Sequence, residues 1–152
     1  MADFVMWERP DYRLSTDPAD VSLDVVHAFL SQESYWAKNI PRDTVARSLR
    51  SSIPFSLLHG SVQVGFARVT SDLATVAYLG DVFILPAHRG RGLSKWMMAC
   101  IMSHPDLQGL RRWTLATADA HGLYAQFGFT PLKAPTRWME KHNPDVYLTH
   151  RG

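Results

Sequence analysis

The stretch VFILPAHRGRGLSKWMM, Val82 to Met98, constrains the fold more than any other in this chain. Val82 to Leu85 is a dense apolar run of the kind found in buried strands. It gives way to Arg89-Gly90-Arg91-Gly92, and from Leu93 the apolar residues take helical spacing. Leu93, Trp96, Met97, Cys100 and Ile101 stand at i, i+3, i+4, i+7 and i+8. A helix that opens in this way offers backbone N–H groups with no intrahelical partner, at the positive end of its dipole. Glycine tolerates positive φ and lets a backbone approach a ligand closely. Arg89, Arg91 and Lys95 add charge, so the turn suits a phosphate or pyrophosphate. The spacing is neither of the familiar nucleotide motifs. A P-loop needs Gly-Lys-Ser/Thr five residues after its first glycine, and a dinucleotide fingerprint needs a third glycine at position 95, where Lys95 stands.

The rest of the chain supplies a sheet for this unit to join. Tyr12 to Thr16 alternates and predicts a first strand. Val21, Val25, Val26, Phe29 and Leu30 recur at helical spacing after the cap residues Asp17 to Asp20, and a second helix is expected within Asn39 to Ser52. Pro54 to Thr70 reads as two strands around His59-Gly60-Ser61. Ala74 to Leu85 is a long strand, Arg111 to Thr117 a shorter one, and Ala118 to Gln126 a short helix. Final strands are expected in GFTPL and RWMEK, and Phe4 and Trp7 are expected to precede the domain. Strand, helix and strand between Ala74 and Thr117 imply a parallel βαβ unit. The remainder implies an antiparallel sheet with helices packed on it, hence an α+β fold.

With 152 residues, a single domain over 1–152 is expected. A formal charge of +2 gives no electrostatic case for nucleic acid. The lone cysteine, Cys100, excludes an internal disulfide framework and a Cys-based metal site, and its apolar neighbours suggest a core thiol. No apolar run approaches the ~20 residues of a membrane span. No secretory signal is evident, so a cytoplasmic protein is expected.

The glycine turn resembles the pyrophosphate-binding motif of the GCN5-related N-acetyltransferase (GNAT) superfamily, Arg/Gln-x-x-Gly-x-Gly/Ala after a bulged strand. Arg89, Gly92 and Ser94 fill its three positions, with Ser in place of Gly or Ala. Downstream, Leu123, Tyr124, Phe127, Gly128 and Phe129 are similar to the family's fourth-helix signature, and Thr117 stands where an asparagine is frequent. The resemblance implies a mixed, mostly antiparallel sheet with a central parallel βαβ unit and helices on both faces. It implies acetyl-CoA as co-substrate, no metal, an amine acceptor, and in many relatives a homodimer. Backbone groups of Val82, Phe83 and Ile84 would pair with the acetyl and pantetheine amides. Amides of Arg89, Gly90, Arg91, Gly92, Leu93 and Ser94, with Lys95 nearby, would cradle the pyrophosphate, and Thr117 would approach the pantetheine. Tyr124 takes the position of the general acid that protonates the leaving thiolate.

The residue that accepts the amine's proton is open. Asp81 is the first candidate, ahead of His121 and Glu33. Tyr35 and Trp36, in the connection between the first two helices, are candidates to line an amine pocket. Two functions remain at this point: transfer of an acetyl group to an amine, or a non-catalytic module that binds acyl-CoA.

Overall fold

The computed structural model describes residues 3–148. Six strands form one sheet in chain order: β1 (Met6–Arg9), β2 (Tyr12–Ser15), β3 (Ile53–His59), β4 (Val62–Ser71), β5 (Val76–Ile84) and β6 (Arg112–Leu115). All neighbouring pairs are antiparallel except β5 and β6. The helices are α1 (Leu23–Ala28), α2 (Arg42–Ser48), α3 (Leu93–Met102) and α4 (His121–Ala125). The β6 edge of the sheet therefore carries the expected βαβ unit, β5-α3-β6.

Two cores lie on opposite faces of the sheet. One joins Phe55, Leu57, Val69 and Ile84 to Met97, Met98 and Ile101 of α3 and to Tyr124 of α4. The other joins Phe66 and Phe83 to Val26, Phe29, Leu30 and Val45 from the α1–α2 side. Burial on both faces explains why β3 and β4 read as nearly continuous apolar runs. Each such side chain contributes about 1.5–3 kcal/mol by leaving water. Consecutive residues of β5 divide between the layers: Phe83 stacks on Phe29 at 4.1 Å, and Ile84 points to α3.

The ends of the chain depart from expectation. The first strand is β1, so Trp7 belongs to the sheet instead of preceding it. Trp7 pairs with Leu14 and stacks on Phe55 at a centroid distance of 6.0 Å. The other three β1 residues are exposed, which leaves no apolar alternation to detect. Phe4 does precede β1 and is exposed. The strands expected in GFTPL and RWMEK do not form, and the sheet ends at β6. Pro131 and Pro135 lack the N–H a ladder requires. Trp138 instead receives the Arg112 guanidinium over its ring, 5.1 Å from the centroid. Past Ala28 the first helix widens into a single π turn, Phe29–Glu33.

Candidate active site

Strand pairing alone creates an opening. β5 and β6 run parallel from Val76↔Arg112 to Leu79↔Leu115, and there β6 ends. β5 continues from Gly80 to Ile84 with a neighbour on the β4 side only. The edges of Val82, Phe83 and Ile84 that face away from β4 are thus the wall of a V-shaped gap, with backbone groups that require partners.

The same segment is bulged. Between the pairs Phe66↔Phe83 and Arg68↔Gly80, β4 supplies Ala67 alone while β5 supplies Asp81 and Val82. That is the two-against-one count of a β-bulge, which bends the strand and re-aims its groups. Asp81 takes φ of 55°, a left-handed conformation that Asp tolerates better than most residues. Its carboxylate is held at both oxygens. Arg68 Nε donates to Oδ2 at 2.9 Å, and Trp36 Nε1 donates to Oδ1 at 2.9 Å. The Arg68–Asp81 side chains are only 22% and 13% exposed, so water screens this ion pair weakly.

The connection after the π turn spans the gap. Trp36 reaches the β5 bulge, and Tyr35 accepts a hydrogen bond from the Ala118 N–H at 2.8 Å, beyond the end of β6. The two rings stand edge to face at 5.0 Å. Both stay exposed, Tyr35 by 62% and Trp36 by 41%, although their polar ends are fixed. Two anchored aromatic faces at right angles suit a cation or its alkyl chain.

Below the gap lies the glycine turn. Gly90 and Gly92 have φ of 79° and 71°, and Gly92 is the N-cap of α3. Trp96 N–H is the first of α3 to find an acceptor, the Gly92 carbonyl. Among the described residues, the N–H groups from Gly90 to Lys95 have no acceptor in a loop or side chain. A Cβ on Gly90 or Gly92 would meet nothing within 4 Å, so the cradle is open. This set of amides at a helix N-terminus fits the pyrophosphate of a CoA ester. Arg89 is committed to the turn itself, because its Nε donates to the Ile84 carbonyl at 2.9 Å. Ser94 is half-buried, Lys95 is exposed, and Leu93 is buried in the core beneath.

On the β6 side, the Thr117 hydroxyl accepts from the amides of Ala120 and Asp119 and shapes the entry to α4. Tyr124 is 7% exposed. Burial, then the nearby Tyr35 and Asp119, push its hydroxyl above the ordinary phenol value. The group is therefore a proton donor at neutral pH. Cys100 is a buried free thiol, and burial pushes it up to about 11. That is an inert core thiol. No group of His, Cys, Asp or Glu able to hold a metal ion occurs among the described residues. Of the other candidates, His121 and Glu33 are both exposed. A recess of about 760 Å³ lies apart from the gap, lined by Arg112, Thr114, Phe129 and Trp138.

Three residues around the gap and the turn were not singled out from sequence. Arg68, a lone charge within the apolar run GFARVT, carried a signal in its isolation. Tyr12 and His88 meet beside the turn and carried none, being 76 residues apart.

Comparison with known proteins bears on the family and the fold. Residues 52–131 match the family model described as an acetyltransferase (GNAT) domain. A Gibberella zeae protein named for acetyltransferase activity is 37% identical in an alignment of 142 positions that covers 79% of this chain and 79% of its own. The crystal structure of a Xanthomonas campestris pv. campestris protein of the GNAT family has a TM-score of 0.90. It is 52% identical and covers 93% of this chain and 100% of its own. A Clostridium acetobutylicum acetyltransferase solved with acetyl-CoA shares the fold at a TM-score of 0.57 and 15% identity, over 93% of this chain and 98% of that one.

Proposed function

Because the chain belongs to the GNAT acetyltransferase family, we propose that it is an acetyl-CoA-dependent N-acetyltransferase that moves an acetyl group directly onto an amine. The observation that carries the reading is the continuity of three features. The partnerless edge of Val82 to Ile84 leads into the open amides of Gly90 to Ser94, and Tyr124 stands on the far side of the gap.

Acetyl-CoA supplies an activated thioester. The amides of Gly90 to Ser94 bind its pyrophosphate, and Val82 to Ile84 pair with the pantetheine as an added strand would. The neutral amine forms a bond to the acyl carbon, and the C–S bond breaks with its electron pair on sulfur. A backbone N–H of the bulge, at Val82 or Phe83, donates to the oxygen on which charge develops. Tyr124 gives its proton to the departing thiolate. Trp36 and Tyr35 receive the amine and its chain on their exposed faces. Asp81 enters this reading as the anchor of the bulge and of Trp36. One bond to each oxygen and the ion pair with Arg68 hold the carboxylate in place, and this reading passes the amine's proton to solvent.

The test is acetyl-CoA-dependent release of free CoA, followed with a thiol reagent, across small amines, polyamines, amino acids and peptides. Turnover with one acceptor class supports the reading. Tight acetyl-CoA binding with no release for any amine overturns it in favour of a non-catalytic binding module.

A further inference from the structure

Beside the glycine turn is a cluster that the transfer chemistry does not use. Tyr12, at the start of β2, is only 6% exposed. Its hydroxyl lies 2.8 Å from His88 Nδ1 and 3.2 Å from Arg91 Nη1, across 76 and 79 residues of sequence. The Tyr12 ring stands edge-on to His88 at 5.8 Å, and His59, from the end of β3, packs against both at 5.2 and 5.1 Å.

The donor inventory fixes the direction of the Arg91 bond. A guanidinium has no acceptor, so Arg91 donates to the Tyr12 oxygen. The bond to His88 joins the hydroxyl to Nδ1 in either sense: the hydroxyl donates to a bare Nδ1, or an Nδ1–H donates to the second lone pair of the oxygen. Burial, and then the charges of His59 and Arg91, hold His88 below the usual histidine value.

We propose that Tyr12 is a positioning residue for cofactor binding: through Arg91 and His88 it holds the glycine turn ready for the pyrophosphate of acetyl-CoA. The inference rests on the reading that residues 89–94 bind that group. Arg91 is exposed, and Tyr12 is its one hydrogen-bond partner among the described residues. One of its five N–H donors is tied down and the others are left for an anion. Ordering a long, rotamer-rich side chain on binding costs affinity, and a tether made in the free protein removes that cost in advance. The second bond, to His88, fixes the entry of the turn one residue before Arg89.

The test is calorimetry of CoA, and of pantetheine as a probe lacking the pyrophosphate, on the wild type, Tyr12→Phe, Arg91→Met and the double variant. Tyr12→Phe keeps the ring and its packing, and its circular dichroism should match the wild type. CoA binding should weaken roughly tenfold, about 1.4 kcal/mol, with pantetheine binding unchanged. In the Arg91→Met background, Tyr12→Phe should add less than about a twofold effect, because partners in one network are not additive. Equal weakening of CoA and pantetheine, or a full tenfold loss in the Arg91→Met background, would reduce Tyr12 to a packing residue. CoA affinity unchanged in Tyr12→Phe would overturn the proposal outright. Gly92→Glu serves as the control on the premise. If it leaves CoA affinity intact, the turn is not the site and the inference falls with it.

Discussion

Replacing Asp81 separates an anchor from a base. Asp81 accepts two hydrogen bonds of 2.9 Å, one of them from Arg68 in an ion pair whose members are 22% and 13% exposed. Breaking a fully buried pair costs about 3–5 kcal/mol, and exposed pairs are worth about 0–1 kcal/mol. This partly exposed pair falls between them, at about 2 kcal/mol. Alanine at φ of 55° adds roughly 1 kcal/mol of left-handed strain that Asp tolerates better. Asp81→Ala should therefore lose about 3 kcal/mol, or roughly 6–12 °C in Tm for a domain of this size. Asp81→Asn tolerates the same φ but offers one good acceptor to two donors. It should lose about 1–2 kcal/mol, or roughly 2–8 °C. Calorimetric melts at neutral pH measure both. If Asp81 only anchors, turnover by folded Asp81→Asn should follow the wild-type pH profile within a few-fold. Asp81→Ala melting within 1 °C of wild type would refute the anchoring argument. A collapse of Asp81→Asn turnover at unchanged Tm would return Asp81 to the role of base.

Tyr124→Phe keeps a buried ring and removes one hydroxyl, so kcat should fall roughly 10²-fold with the KM for acetyl-CoA little changed. An unchanged kcat over the accessible pH range would leave Tyr124 as packing alone. His104 is 4% exposed and accepts from the Asp106 N–H through Nδ1. Burial holds it below the usual value, against a smaller opposing effect of Asp106. The unfolded chain then binds a proton that the folded chain refuses. The stability from neutral His104 is complete above about pH 6.5 and is lost as pH falls through the depressed folded value. Melts from pH 7 to pH 5 should show Tm falling, and His104→Asn should flatten the slope; a flat wild-type curve would contradict this. Acetyl-CoA at about 100 times its Kd should add about 2.7 kcal/mol to stability, with NAD and ATP at equal concentration adding much less. Equal shifts from all three would indicate a generic phosphate site.

The parts of the fold that the sequence declared are those in which one local rule acts alone. The apolar run, the two glycines and the helical spacing from Leu93 sufficed to place β5, the turn and α3. His59-Gly60-Ser61 marked the β3–β4 hairpin, where Gly60 takes φ of 63°. What escaped depends on register or on distant partners. β1 shows three exposed residues in four, and only pairing with β2 makes it a strand. The proline-broken tail carried strand-forming residues with no ladder to join. The bulge at Asp81 follows from the pairing of Phe66 with Phe83 and of Arg68 with Gly80. No reading of β5 alone reveals that Arg68 and Trp36 meet there. For Tyr35 and Trp36 the residue types were legible but their anchors, Ala118 and Asp81, were not.

The central claim, that the turn after β5 receives acetyl-CoA, is tested most directly by titrating acetyl-CoA calorimetrically into the wild type and Gly92→Glu. Gly92 takes φ of 71° with open space around it, so the substitution strains one surface turn while adding bulk and negative charge where the anion belongs. Wild type should give a saturable, one-to-one isotherm. A folded Gly92→Glu should show affinity weakened by at least about a hundredfold, or 2.7 kcal/mol. Affinity within a few-fold of wild type in a variant whose circular dichroism is unchanged would contradict the claim.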